Sequence, residues 1–331
     1  MSYRQAFAGK RVLVSGGAGF IGSNLARAVV ALGAEVTLVD SLIPEYGGNL
    51  FNLEQIEGRP RLNVADVRDE HSMKYLVKSH EIFFNLAGQT SHLDSMTDPY
   101  TDLDINCRAQ LSMLEACRKE NPTIRVVFAS TRQIYGAATY LPVDERHPLT
   151  PVDVNGINKI AGETYHLLYS RVYGIPTSAL RLTNTYGPGM RVKDGRQTFL
   201  GVWIRNVISG DPIEVWGDGE QLRDFTFVDD AVDAFLRAAT SDRSTGEVFN
   251  LGGNERISLQ ALAALLVEIA GGGEIRRVPF PPERKVIDIG HYYADYTRIA
   301  DALGWSPSVS LREGLARTIS FYRRNRAHYW P

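Results

Sequence analysis

Short apolar runs separated by amphipathic stretches dominate the first half of the chain. Arg11–Ser15 (RVLVS), Glu35–Asp40 (EVTLVD), Arg61–Val64, Glu81–Ala87 (EIFFNLA), Arg125–Ser130 (RVVFAS) and Thr177–Leu182 (TSALRL) read as six strands. Between the first two, Leu25, Val29 and Leu32 recur at helical spacing until Gly33 offers a stop. Continuous rather than alternating apolar strands, interleaved with helices, are what a parallel sheet covered on both faces requires. The first half is therefore predicted to be a doubly wound α/β domain.

The character changes after Tyr186-Gly187-Pro188-Gly189, where a basic loop containing Arg191, Lys193 and Arg196 reads as a solvated face. Helical patterns follow at Thr198–Ser209, Asp229–Thr240, Ser258–Ala270 and Leu311–Arg323, the third stopped by Gly271-Gly272-Gly273. Strands are too sparse here for a second nucleotide fold. The expected organisation is a parallel-sheet domain over 1–185 and a smaller α/β substrate-binding domain over 186–331, with some segments crossing back.

The chain has 331 residues, a formal charge of −2 and 44% apolar residues, which fits a globular protein and argues against nucleic acid as a partner. Met1–Lys10 lacks the apolar core of a signal peptide, and no stretch approaches the roughly 18 apolar residues of a membrane span, so a cytoplasmic protein is expected. Cys107 and Cys117 are predicted to share one helix, about 15 Å apart, and to act as small hydrophobes rather than a disulfide or metal ligands.

Candidate chemistry begins at Gly16-Gly17-Ala18-Gly19-Phe20-Ile21-Gly22, which follows the first strand and opens the first helix. The Gly16, Gly19, Gly22 spacing suits a tight turn, close approach to a pyrophosphate and close helix–sheet packing. Asp40 ends the second strand eighteen residues beyond Gly22, followed by Ser41. A carboxylate there can accept both ribose hydroxyls of an adenosine and would repel a 2′-phosphate, so NAD is preferred to NADP.

Together with Asp66-Val67, Asn85-Leu86-Ala87-Gly88-Gln89, Asn106 in DINC, STRQIYG (130–136), Lys159 in NKIAGE, Arg181 and Asn184 in RLTNTYGP and GDGEQLRDFTFVDD (217–230), these residues resemble the extended short-chain dehydrogenase/reductase superfamily. The similar group is its nucleotide-sugar epimerases and dehydratases, and the likeness runs over essentially the whole length. It implies a Rossmann domain holding NAD, with Asp66 and Val67 beside the adenine, Leu86, Ala87, Gly88 and Gln89 along the cofactor's middle, and Lys159 on the nicotinamide ribose. Asn106 joins the cofactor set. Asn184 and Arg223 would contact the diphosphate of the substrate, with Arg284 a further candidate and Gln89 near the sugar. For Arg223 an ion pair with Asp224 or Asp229 is the competing reading. Helices around Pro99–Glu120 and Gly156–Tyr173 would form a homodimer interface.

One position departs from the resemblance. The family carries a Tyr four residues before the Lys, one helical turn away, where Lys⁺ lowers the phenol's pKa. Here that residue is Asn155. An amide can orient a hydroxyl or a water but cannot act as a base. Thr131 matches the Ser/Thr that bonds the reacting oxygen, whereas Arg132 and Gln133 replace the Asp-Glu pair of the 4,6-dehydratases. Arg132 could instead fork onto sugar hydroxyls or a carboxylate, or sit in a salt bridge. Candidates for proton transfer are Lys159, aided by a water on Asn155, and His92. Asp153 is predicted to cap the helix that carries Asn155 and Lys159.

The expected activity is an NAD-dependent epimerase of a nucleoside diphosphate sugar, acting at C4 through a keto sugar with hydride return. The competing readings are a related dehydratase, decarboxylase or oxidoreductase, and a silent nucleotide-sugar binder.

Overall fold

Strands β1 (Arg11–Ser15), β2 (Glu35–Asp40), β3 (Arg61–Val64), β4 (Ile82–Asn85), β5 (Arg125–Thr131) and β6 (Thr177–Leu182) lie side by side in the computed structural model, which describes residues 3–58, 60–195 and 198–330. The second half supplies β7 (Asn184–Tyr186), β8 (Ile213–Trp216), β9 (Leu222–Phe227), β10 (Val248–Asn250), β11 (Arg256–Ser258) and β12 (Ile275–Val278). The central sheet runs β10-β6-β5-β4-β1-β2-β3, and each neighbouring pair is parallel. A doubly wound α/β architecture is thus present.

The apolar runs have no polar face because both faces of the sheet are covered. Val12 and Val14 of β1 point into one core with Leu25 and Val29 of the Phe20–Ala31 helix and Phe235 of the Val228–Thr240 helix. Leu13 between them points the other way, toward Met73, Met113, Leu114, Cys117 and Tyr169. Adjacent residues on a strand face opposite sides, so every position in the run is buried.

The chain winds from β1 outward through β2 to β3, then returns to β4 on the other side and continues to β5 and β6. The crevice beyond the carboxyl ends of β1 and β4 is the switch point where such sheets bind ligands. Asn85 closes β4 earlier than the predicted Glu81–Ala87 run, because the backbone leaves the sheet there. Ser15 Oγ accepts the N–H groups of Leu86 and Ala87 at 3.1 and 3.2 Å, turning Leu86–Gln89 across the crevice.

The second half is richer in strands than its pattern suggests. β10 joins the central sheet beside β6, β11-β9-β7 form a three-stranded sheet, and β8 and β12 form a parallel pair. Its longer helices run Phe199–Ser209, Val228–Thr240, Leu259–Ala270 and Leu311–Asn325, with Thr198, Ser258 and Ser310 as side-chain caps. Arg196 of the basic loop lies outside the described residues.

Cys107 sits in a π-helical turn, Asp104–Arg108, and Cys117 in the following helix; both are free thiols. Burial pushes the Cys117 thiol up to about 12. Among the described residues no helix is long and apolar enough to cross a membrane.

Candidate active site

A cleft of about 660 Å³ opens at the switch point and extends under the second half. Its inner end is built by the glycine turn. Gly16 has φ +67°, open to glycine at little cost, and its N–H donates to Val39 O at 2.9 Å. A Cβ on Gly22 would lie 2.1 Å from Gly16 O, so only glycine lets the Phe20–Ala31 helix start this close to the turn. Asp40 closes the cradle at the end of β2. Its Oδ2 accepts from Ala18 N at 2.9 Å and its Oδ1 from Leu42 N at 2.8 Å, which leaves a lone pair on each oxygen for a ribose hydroxyl. Burial pushes this carboxyl up, against the two backbone donors. Gly88 forms the middle of the floor, where a Cβ would meet Asn106 Oδ1 at 2.8 Å and Lys159 Nζ at 3.0 Å. The residues therefore fit a dinucleotide.

The far wall carries the chemistry. Thr131 ends β5, and its Oγ1 accepts from Gln133 N at 3.2 Å, a local bond that leaves the O–H to donate. Asp153 caps the Val154–Tyr173 helix by accepting from Gly156 N at 2.7 Å, which fixes the start of the helix bearing Asn155 and Lys159. Lys159 is buried, donates to Ala129 O at 3.2 Å and lies 5.0 Å from the Phe128 ring centre. Burial pushes its ammonium down to about 8, with the charge of Asp102 pulling the other way.

Asn155 also lines the cleft, and its orientation is fixed. Nδ2 donates to Gln89 O at 2.8 Å and to Asp102 Oδ2 at 3.0 Å, both pure acceptors. Its Oδ1 accepts no hydrogen bond among the described residues, so the amide offers the cleft an acceptor. His92 Nδ1 lies 2.9 Å from Asp153 Oδ2, at ion-pair range but out of hydrogen-bond alignment. Burial raises the Asp153 carboxyl, yet His92, Gly156 N and Gln133 together hold it below its ordinary value.

Toward the cleft mouth, Arg132 donates through Nη2 to Asn184 Oδ1 at 3.1 Å, and Asn184 donates to Asp224 O at 2.9 Å. Arg223 is buried and donates to Leu222 O at 2.9 Å and to Gly290 O. Its carboxylate neighbour is Asp288, at 3.6 Å, not Asp224 or Asp229. Asp224 accepts from Thr183 Oγ1, and Asp229 pairs with Arg317. Burial lowers the Arg223 guanidinium to about 10, helped by repulsion from Arg132. Arg284 stacks over Trp216 at 5.7 Å.

The cleft gathers nearly every position singled out in the sequence. Gly16, Gly19, Phe20, Ile21, Gly22, Asp40, Ser41, Asp66 and Val67 line one arm, with Leu86, Ala87, Gly88 and Gln89 along the floor. His92, Thr131, Arg132, Asn155, Lys159, Asn184, Arg223 and Arg284 line the other. Asn106, placed with the cofactor-binding residues, does not reach the cleft. It is fully buried behind Gly88 and holds the floor by donating to Gln89 O at 2.9 Å.

Two residues were missed. Asp102, 1% exposed, accepts Nδ2 of Asn106, Asn155 and Asn158 at 3.1, 3.0 and 2.8 Å. Its signal was the pairing of Asp102 and Asn106 four apart with Asn155 and Asn158 three apart, two helical faces able to meet. Tyr292, whose ring centre lies 5.1 Å from Arg132 Cζ, had no signal in the pattern.

Comparison with known proteins agrees with this geometry. The sequence pattern of the NAD dependent epimerase/dehydratase family matches residues 12–252. A UDP-glucose 4-epimerase of Mycolicibacterium smegmatis is 32% identical over 316 residues, covering 95% of this chain and 98% of that one. A UDP-N-acetyl-alpha-D-glucosaminuronate decarboxylase of Bacillus cytotoxicus is 33% identical over 328 residues, covering 95% and 98%. The crystal structure of a UDP-glucose 4-epimerase from Thermotoga maritima, with UDP-glucose, superposes with a TM-score of 0.88 at 32% identity, covering 96% of this chain and 99% of that one.

Proposed function

The chain belongs to the NAD-dependent epimerase/dehydratase family of nucleotide-sugar enzymes, and from that premise we propose that it is an epimerase of a nucleoside diphosphate sugar, inverting C4 through a transient keto sugar with hydride return. The observation that carries this reading is the far wall of the cleft. Thr131, Asn155 and Lys159 face one space beside Gly88, and Arg132 and Gln133, not a pair of acids, follow Thr131. Elimination of water needs an acid and a base beside the leaving group, whereas epimerisation needs only a reversible proton transfer with the hydride.

NAD, when bound, supplies the two-electron acceptor that takes a hydride from the ring carbon and gives it back. The chain does the rest. Lys159 accepts the proton of the C4 hydroxyl, directly or through a water held on Asn155 Oδ1, and returns it when the alcohol reforms. With its ammonium near 8, about a tenth is neutral at pH 7, which suits a group that must both take and give a proton. The Thr131 hydroxyl donates to the same sugar oxygen as negative charge develops on it. Arg223 and Arg284 supply flat, charged forks for the diphosphate. His92 is a weaker candidate for the proton, since its Nδ1 faces Asp153 rather than Thr131.

Exposed apolar side chains on two neighbouring helices, Tyr100 and Leu103 with Ile157, Leu168 and Val172, support a homodimer, which sedimentation equilibrium tests.

The activity test is to incubate NAD-loaded protein with UDP- and dTDP-sugars in heavy water, following product mass and NADH absorbance together. An isomeric product without deuterium and without lasting NADH is expected. Loss of water or CO2, deuterium uptake or accumulated NADH overturns the epimerase reading, and binding without turnover across the panel favours a silent binder.

A further inference from the structure

Arg132 is a charged group on the far wall whose partners leave one of its nitrogens unsatisfied. It follows Thr131 directly and opens the 3-10 turn Arg132–Tyr135. Its guanidinium stacks over the Tyr292 ring at 5.1 Å, and Nη2 donates to Asn184 Oδ1 at 3.1 Å. Nη1 is buried with no hydrogen-bond partner, and Arg132 forms no ion pair among the described residues.

The surrounding carboxylates are committed elsewhere. Asp224 accepts from Thr183 Oγ1 at 2.7 Å, Ala294 N at 3.1 Å and Gly253 N at 3.2 Å. Asp288 lies beside Arg223 at 3.6 Å and accepts from Gln221 at 3.2 Å. Asp153 is taken by Gly156 N and Gln133. Arg223 and Arg132 repel each other. Asp224, Asp288 and Asp153 favour the Arg132 charge from a distance, but none of them reaches Nη1. A buried guanidinium N–H left without an acceptor is costly, and an anion arriving in the cleft would complete it. The cleft is the side of Arg132 from which an anion can come.

Resting on the nucleotide-sugar reading above, we propose that Arg132 receives a carboxylate carried by the sugar ring, so that the preferred substrates are nucleoside diphosphate uronates rather than neutral hexoses. A planar carboxylate matches the flat guanidinium fork, which Tyr292 and Asn184 hold in one orientation. Arg132 adjoins Thr131, the residue assigned to the C4 oxygen. A substituent on the neighbouring carbon C5 falls on its side, while Arg223 and Arg284 serve the diphosphate.

The test is a calorimetric titration of the NAD-loaded protein with UDP-glucuronate and UDP-glucose, repeated with the dTDP pair. The uronate is expected to bind about tenfold tighter or more. Arg132→Gln brings the ratio of the two dissociation constants close to one, and Arg132→Lys keeps part of it. A ratio near one in the natural protein overturns the inference without any variant, as does a ratio that survives Arg132→Gln. Equal weakening of both ligands by Arg132→Gln places the residue on the diphosphate and also overturns it. If none of the four ligands binds while NAD binding is intact, the nucleotide-sugar reading falls, and this inference with it.

Discussion

Replacing Asp102 by Asn tests the inner wall of the site most directly, because the change keeps the shape and removes only the charge and one acceptor. Asp102 Oδ1 takes Asn158, and Oδ2 takes Asn155 and Asn106. A substituted amide offers one oxygen to one side and turns an NH2 against donors on the other. Asn155 and Asn106 can fall back on Gln89 O, but Asn158 has no second acceptor among the described residues. Losing two hydrogen bonds to a buried charge, at about 1.5 kcal/mol each, gives a destabilisation of about 3 kcal/mol. For a chain of this length the unfolding entropy is about 0.7 kcal/mol per degree, so Tm should fall by about 4 °C in a calorimetric scan. The functional signature is separate. Asp102 favours the Lys159 ammonium, so its removal lets burial push that pKa further down. With Lys159 as proton acceptor, kcat/KM rises with pH to a plateau, and the midpoint of that rise should move downward in Asp102→Asn. A loss below about 1 kcal/mol would refute the network. A midpoint that stays put or moves up would refute Lys159 as the acceptor.

Other perturbations probe the remaining supports. Lys159 has a folded value of about 8 against an ordinary 10.5, so the folded state binds its proton less tightly than the unfolded chain. The resulting cost, about 3 kcal/mol, is fully present below pH 8 and vanishes as pH rises from there to 10.5; Lys159→Met should therefore stabilise the protein at pH 7 and not at pH 10.5, read from urea midpoints. Glu163→Gln breaks a buried pair with Arg181 at 2.6 Å, in which Ser130 Oγ also donates to the carboxylate, and should cost about 3 to 5 kcal/mol in urea unfolding. Gly22→Ala places a Cβ 2.1 Å from Gly16 O, so the helix must shift off the turn, and NAD affinity measured by protein fluorescence should fall about tenfold or more.

What could be read from the sequence was what the chain encodes locally. The glycine turn and Asp40 depend on spacing within thirty residues, and apolar runs without alternation follow from a sheet buried on both faces. β10 was not legible because three residues, Val248–Asn250, are too few to show a pattern, and their strand character comes from pairing with β6. For Arg223, read first as a diphosphate contact, the competing ion pair named its sequence neighbours Asp224 and Asp229; strand alternation turns Asp224 to the opposite face, and the carboxylate neighbour comes from Asp288, far along the chain.

Position 155 carries the same lesson into chemistry. Taken alone, an Asn where the resemblance leads one to expect a Tyr reads as a missing base. In the fold, Asn155 converges with Asn106 and Asn158 on the buried carboxylate of Asp102, which acts on the charge of Lys159. Each of those amides would cost about 1 to 3 kcal/mol if buried unpaired, so a site drifting after loss of its base would shed them for apolar residues. Their NH2 groups all find acceptors on Asp102, and with the Asn155 oxygen left toward the cleft this is the arrangement expected of a wall that orients a hydroxyl for Lys159.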